Sequence, residues 1–283
     1  MGIKRYWANS DTTITNAYRE DMTTRGTGSN MGASDILEVF SIYGQRTLTG
    51  SHSDFSSELS RVLVKFPTTE MSKDRTKGLI PKSGSMSWFL KMYNAPHGQT
   101  VPRNAKLMFI PCKQDWEEGH GLDMEEYRDI TRDGEGANWM NYAKNKTWNR
   151  MGGEYYTASA DSAIQYSAST NLGKLPRGTE DIEIDVSCIV EQWIGGSPTG
   201  GSKSNYGFGV FLTESHEAHW SSSNQPGPTN TRPNTNDLGA AYSAKSVSKA
   251  FRGLLHNVRG AKTSYYTKKF FGRGSEHFYK RPV

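Results

Sequence analysis

An all-β fold, a jelly-roll-like antiparallel β-sandwich with long loops and a short helix before a core strand, is what this sequence predicts. Three observations predict it. Hydrophobic residues make up 34% of the 283 positions and aromatics 11%, against abundant Gly, Ser, Thr and Asn; that balance suits many turns and polar loops, not a helical bundle. The run Leu59-Ser60-Arg61-Val62-Leu63-Val64-Lys65-Phe66 reads as a buried strand, ended by Pro67 because proline lacks the N–H a ladder needs. Val186, Ile189, Val190 and Trp193 recur at three- and four-residue steps on one helix face. Gly195 and Gly196 stop that helix, and Tyr206, Phe208, Val210 and Leu212 then alternate with smaller residues as a strand. None of these residues is a catalytic type, which argues for a binding or structural role.

The other elements follow in order. Residues 8–14 form a short polar strand, and 25–32 a Gly/Asn loop. In 36–42, Ile36, Leu37, Val39, Phe40 and Ile42 surround Glu38 and Ser41 as a further strand. Stretches 87–93 and 106–112 are strands joined by a loop holding Pro96 and Pro102. Residues 113–153, acidic at first and rich in Trp, Gly and Asn, are an ordered loop excursion. The strand pattern resumes at 182–186. Residues 221–230 are a polar surface loop, 240–255 a basic helix, and 265–271 and 278–283 the final strands. Strands at this spacing favour a sandwich over a parallel α/β sheet. The expected organisation is a sandwich from 1–214 with 262–275, an insertion or long loop at 215–261, and a C-terminal strand or start of a further segment at 276–283.

A formal charge of +5 is mild for this length, and it does not demand nucleic acid as a partner. Cys112 and Cys188 are too few for a disulfide framework. Each lies in an apolar stretch, so two buried thiols are expected, with a single bridge as the alternative. The start, Met1 to Trp7, lacks the apolar run of a signal peptide, and Gly2 is followed by Tyr6 where a myristoylation signal wants a hydroxyl residue. No segment has the length of a membrane span. Folding in a cytoplasm is the expectation.

Chemistry concentrates in the acidic stretch 115–129. Its carboxylates and glycines could supply oxygens to Ca²⁺, with Glu117, Glu118, Asp123 and Glu125 as ligands. The order of an EF-hand loop is missing, and the favoured reading is a solvated loop pinned by Trp116 and Tyr127, with no cofactor. A glycosidase pair such as Glu117 and Asp123 would need a set separation and one raised pKa, and no enzyme is expected. His216-Glu217-Ala218-His219 misses the zinc-protease spacing by one residue, and a surface loop is expected there. Trp139, Trp148, Tyr155 and Tyr156 are candidates for a glycan platform, the competing reading being that they plug the ends of the sandwich.

Several stretches resemble one family. They are Ala8 with Asp11-Thr12-Thr13-Ile14, Asn30-Met31-Gly32-Ala33 before Leu37-Glu38-Val39, Arg61 to Phe66, and Asn94 to Pro102. The pattern continues through Trp116 to Met124, Asn138-Trp139, Thr147-Trp148, the helix ending at Trp193, Asn205-Tyr206-Gly207-Phe208, Tyr266 to Glu276, and Lys280-Arg281-Pro282-Val283. Together they resemble DNRLRE-type β-sandwich domains, and most closely those of tailed-bacteriophage virion proteins. The resemblance implies a non-enzymatic structural protein on the capsid, neck or tail surface, assembled in the host bacterial cytoplasm. Its partners would be other virion proteins and copies of itself. The resemblance also implies that related sequences run past the Arg-Pro-Val end, so either the chain is cropped or a neighbour completes its last strand.

The C-terminal block interleaves basic and aromatic residues. Such a mixture can track single-stranded nucleic acid. The alternation in 265–271 points instead to a strand with one face packed and its lysines snorkelling outward. For a virion protein the expected use is docking onto an acidic neighbouring subunit, through Arg5, Trp7, Lys245, Lys249, Arg252, Lys268, Lys269, Arg273 and Arg281. The alternative function is a carbohydrate-binding module that attaches the particle to host or environmental glycans.

Overall fold

The computed structural model describes residues 2–19, 25–47, 55–122, 135–156, 172–195, 203–213, 217 and 264–283. Among these the chain is all-β with two short helices. In chain order the elements are β1 (Ser10–Thr15), β2 (Ile36–Thr47), β3 (Phe55–Lys65), α1 (Thr68–Thr76), β4 (Phe89–Met92), β5 (Ala105–Pro111), β6 (Asn141–Ala143), β7 (Lys146–Thr147), β8 (Leu172–Leu175), β9 (Ile182–Asp185), α2 (Ser187–Trp193), β10 (Phe208–Leu212) and β11 (Ser264–Phe271).

One sheet runs β11-β2-β3-β10-β5-β8, with β1 on β3 off that path, and every pairing is antiparallel. β3 is the hinge of the arrangement. Residues 55–59 pair with β2, whereas Val62, Leu63 and Val64 sit between β1 and β10. A strand shared in this way turns the sheet through a corner. The curl carries round to the β4–β9 ribbon. Asn94, just past β4, bridges Phe270 of β11, flanked by Ala95 N–H to Lys269 O (3.0 Å) and Phe271 N–H to Tyr93 O (3.1 Å). The result is a sandwich-like, half-barrel sheet.

Alternation on β3 assigns its two faces. Val62 and Val64 point into the main core with Leu37, Val39, Leu90, Met92, Leu107, Phe109, Ile182, Ile184, Phe208, Val210, Leu212 and Phe270. Helix α2 lays Ile189, Val190 and Trp193 on the same core, as its spacing predicts. Leu59 and Leu63 point the other way, into a second cluster with Ile14, Cys112, Trp116, Ala137, Trp139 and Trp148. The sheet is therefore covered on both faces, the second cover being the 113–155 excursion.

Several expectations need correction. The excursion contains a small β6–β7 hairpin. Helix α1 and strand β8 lie where no element was expected. Residues 278–283 are not a strand but a 3-10 turn, Phe278–Lys280, and a tail. Val283 exchanges both backbone hydrogen bonds with Lys91 of β4 (2.7 and 3.1 Å), so this segment pairs within its own chain. Both cysteines are free thiols, and Cys188 is exposed, because it lies on the outer side of α2. Apart from Glu217, the 215–261 insertion and its basic helix lie outside the described residues. Among the described residues no helix is long and apolar enough to cross a membrane.

Candidate functional site

The outer face of β3 carries the densest chemistry. Arg61 shares its parity with Leu59 and Leu63 and so enters the second layer. Its Nε and Nη2 donate to the two oxygens of Glu217 (2.8 and 2.7 Å), and Nη1 donates to Gly152 O (2.8 Å). Both side chains are almost sealed, 8% and 2% exposed. The guanidinium also lies within 6 Å of the ring centroids of Trp139, Tyr155 and Phe211, a distance at which aromatic faces attract cations. Glu217 thus lies in the interior and not in a surface loop, because the Arg61 charge must be matched where water cannot reach it.

A second polar knot ties the excursion to the loop before β2. Asn30 Nδ2 donates to Glu118 O (2.7 Å) and Ala137 O (2.8 Å), while its Oδ1 accepts from Gly32 N (3.2 Å) and Gly121 N (2.9 Å). The contact is so close that a Cβ on Gly32, Gly119, Gly121 or Gly136 would fall under 3.0 Å from its neighbours. Gly119 and Gly136 also sit at φ +79°, where only glycine is unstrained.

Beside this knot, Glu118 takes the Asp11 N–H (2.7 Å) and a fork from Arg273, Nε at 3.1 Å and Nη2 at 2.5 Å. Asp11 Oδ2 accepts the Arg273 N–H (2.6 Å). Burial pushes the Asp11 carboxyl up to about 7, helped by the neighbouring Glu118 and opposed by Arg273. The Glu118 hydrogen bonds raise the Arg273 guanidinium further. Two further ties hold the helices. Arg75 donates a fork to Glu191 (2.9 and 2.6 Å), joining α1 to α2, and Trp88 Nε1 reaches the same carboxylate (2.8 Å). Burial pushes Glu191 up, but those bonds outweigh it and hold the carboxyl below its usual range. Asp74 accepts from Lys4 and Tyr6, which lowers its carboxyl, while burial, helped by the bond to Asp74, raises the Tyr6 phenol.

The predicted site residues divide accordingly. Glu117 accepts the Lys144 N–H (3.4 Å) and Glu118 belongs to Arg273, so the two carboxylates serve different partners. Asp123 and Glu125 lie outside the described residues, and among those described no group of three or more His, Cys, Asp or Glu is placed to hold a metal ion. Trp139 (0% exposed) and Trp148 (3%) are buried in the second layer, which corrects their reading as a glycan platform: their rings cover the sheet. Trp148 Nε1 donates to Asn138 O (2.9 Å). Tyr155 and Tyr156 are half-buried, the first with its hydroxyl on Gly152 O (2.9 Å), the second packed against the main core.

Of the docking set, Lys268 is a correction. It does not snorkel outward but is fully buried, sharing its parity with Phe270. Lys269 faces Glu38 (3.4 Å). Lys245, Lys249 and Arg252 lie outside the described residues. Arg5 is exposed, and Trp7 belongs to a different environment, with Arg281. The chain's two end segments lie side by side, joined by Ala8 N–H to Pro282 O (2.9 Å) and Trp7 Nε1 to Phe278 O (3.2 Å). Trp7 stacks on Phe278 at 5.3 Å, Arg281 covers the same ring at 5.0 Å, and Tyr279 stands 76% exposed beside them. Ile3 adds a further exposed apolar side chain to the arm. The sequence names Trp7 and Arg281 as docking residues; what it does not show is that the two end segments lie together, with 278–280 as a 3-10 turn and not a strand.

Compared with models of known protein families, with curated proteins and with solved structures, the chain has no match.

Proposed function

We propose that this chain is a non-enzymatic structural protein of a bacteriophage particle, on the capsid, neck or tail surface, binding neighbouring subunits through its end segments and loops. The observation that carries this reading is the patch where the two end segments meet: Trp7 stacked on Phe278, with Tyr279 and Arg281 against the same ring. Aromatic residues and arginine are the types enriched where protein surfaces bind each other. The charged side chains of the interior support it differently. Arg61, Glu217, Asp11, Glu118, Arg273 and Asn30 are bonded to one another or to backbone, so they fasten loops to the sheet. A scaffold with its loops fastened on both faces presents a rigid surface, which lowers the ordering cost of association.

The neighbour this patch fits is a protein surface with an acidic rim and a pocket for aromatic rings. Each contact is small, and repetition around a ring or lattice raises the effective concentration of the next one. The test is labelling of purified phage particles with an antibody raised against this chain. Regular label at one particle position, lost when Tyr279→Ser and Trp7→Ser are introduced together, supports the reading. Particles in which peptide mass spectrometry detects no trace of the chain overturn it.

A further inference from the structure

Lys268 has no exposed surface, and among the described residues no carboxylate hydrogen-bonds its ammonium. Nζ donates to Asn94 Oδ1 at 2.5 Å and to the Glu180 backbone oxygen at 2.7 Å, and it lies 4.9 Å from the Phe270 ring centroid. The backbone that carries the carboxamide is held too. Asn94 faces Phe270 in an antiparallel bridge, its N–H donates to Asp181 Oδ1 (2.8 Å), and backbone bonds flank the bridge on both sides.

We propose that Lys268 and Asn94 are the two halves of an intramolecular isopeptide cross-link that joins β11 to the segment following β4. In the reaction, the Nζ lone pair attacks Asn94 Cγ and an Nζ–Cγ amide bond forms. The Cγ–Nδ2 bond breaks, and the proton shed by Nζ leaves on Nδ2 as ammonia. Amine and carboxamide give amide and ammonia, so atoms balance and no oxidant or co-reactant is consumed.

Two physical features favour this over an ordinary hydrogen bond. Fixing both reactants in one geometry replaces an encounter, and a positioned pair reacts as if at very high concentration. A lysine becomes nucleophilic when its surroundings disfavour the charged form. Burial holds the Lys268 ammonium down at about 8, against the opposing pull of the Glu180 and Asp181 carboxylates.

The test is the intact mass of the purified full chain under denaturing conditions, followed by a tryptic map. The expected result is a mass short by one ammonia, with a branched peptide joining the Lys268 and Asn94 segments and no cleavage after Lys268. Asn94→Ala and Lys268→Arg variants should each keep full mass. The wild-type map decides the matter even where a variant fails to fold. Full mass after prolonged incubation of the folded protein in alkaline buffer, with both linear peptides recovered, would overturn the proposal. So would an ammonia deficit carried on a linear Asn94 peptide, which is a succinimide and not a cross-link.

Discussion

Removing the Glu217 carboxylate by Glu217→Ala strips the Arg61 guanidinium of two of the three hydrogen bonds described for it and of its counter-charge. Of the contacts described for it, the Gly152 carbonyl and three aromatic faces remain. A hydrogen bond to a charged group contributes about 1.5–3 kcal/mol, so two of them give about 3–6 kcal/mol. Breaking a buried pair from one side costs about 3–5 kcal/mol, because a charge is left where water does not reach. The side-chain exposures of 8% and 2% place this pair in that class. The expected loss is therefore about 3–5 kcal/mol. In urea, with a slope near 3 kcal/mol per molar for a chain of this size, the midpoint falls by about 1–1.7 M. Arg61→Met combined with Glu217→Leu removes both charges and should return to within about 2 kcal/mol of wild type. Tryptophan fluorescence reports the transition, since Trp139 lies beside the pair. A loss under about 1 kcal/mol for Glu217→Ala, the range of an exposed ion pair, would refute the claim that this bridge is sealed.

Other outcomes follow from the same geometry. The Asp11 carboxyl is raised when folded, so its contribution to stability is fully present below its unfolded pKa and is lost as pH rises through about 7. Asp11→Asn should flatten that part of the profile, and the difference in unfolding free energy between the two proteins across pH 4–8 (on the order of that span) checks it. Cys188 is exposed and Cys112 sealed, with burial pushing the Cys112 thiol up, so a thiol reagent should label one site in the native protein and two in denaturant. Gly121→Ala drives a methyl into the Asn30 carbonyl and should loosen the second layer by about 1–3 kcal/mol or more, the cost of overpacking, read as faster protease cleavage near 121. Trp148→Ala should cost about 3–5 kcal/mol of stability and leave any glycan-array signal unchanged.

Much of the scaffold was legible from periodicity. The strand 59–66, the helix ending at Trp193 and the strand ending at Leu212 each carry a clear apolar periodicity, and an element of the expected type forms at each. Helix α1 carried no such pattern, since Met71 and Asp74 are its only buried residues and its hold on the fold comes from Arg75 and Asp74 reaching distant partners. The buried charges were missed for a different reason. Arg61 shares its parity with Leu59 and Leu63, and Lys268 shares its parity with Phe270, so the two-residue period did point both inward. For Lys268 the expectation that lysines snorkel outward overrode it. Their partners Glu217, Asn94 and Glu180 are remote in sequence, and nothing in the local pattern announces them. The same remoteness hid Asn30, three of whose four bonds reach Glu118, Gly121 and Ala137 in the 113–155 excursion.

The shared strand β3 has a bearing on how the chain acquires its shape during synthesis. Its partners are spread from β1, the first strand, to β10, and its neighbour β2 waits for β11, whose Phe271 meets Ile36. Pairings this far apart in sequence close slowly, because the intervening chain must be ordered first. On the ribosome, β1, β2 and β3 emerge early with open edges, and neither sheet face is complete until the last strands leave the exit tunnel. Such edges invite pairing between nascent chains. Yield should therefore respond to slower translation and lower temperature more than to any single surface substitution.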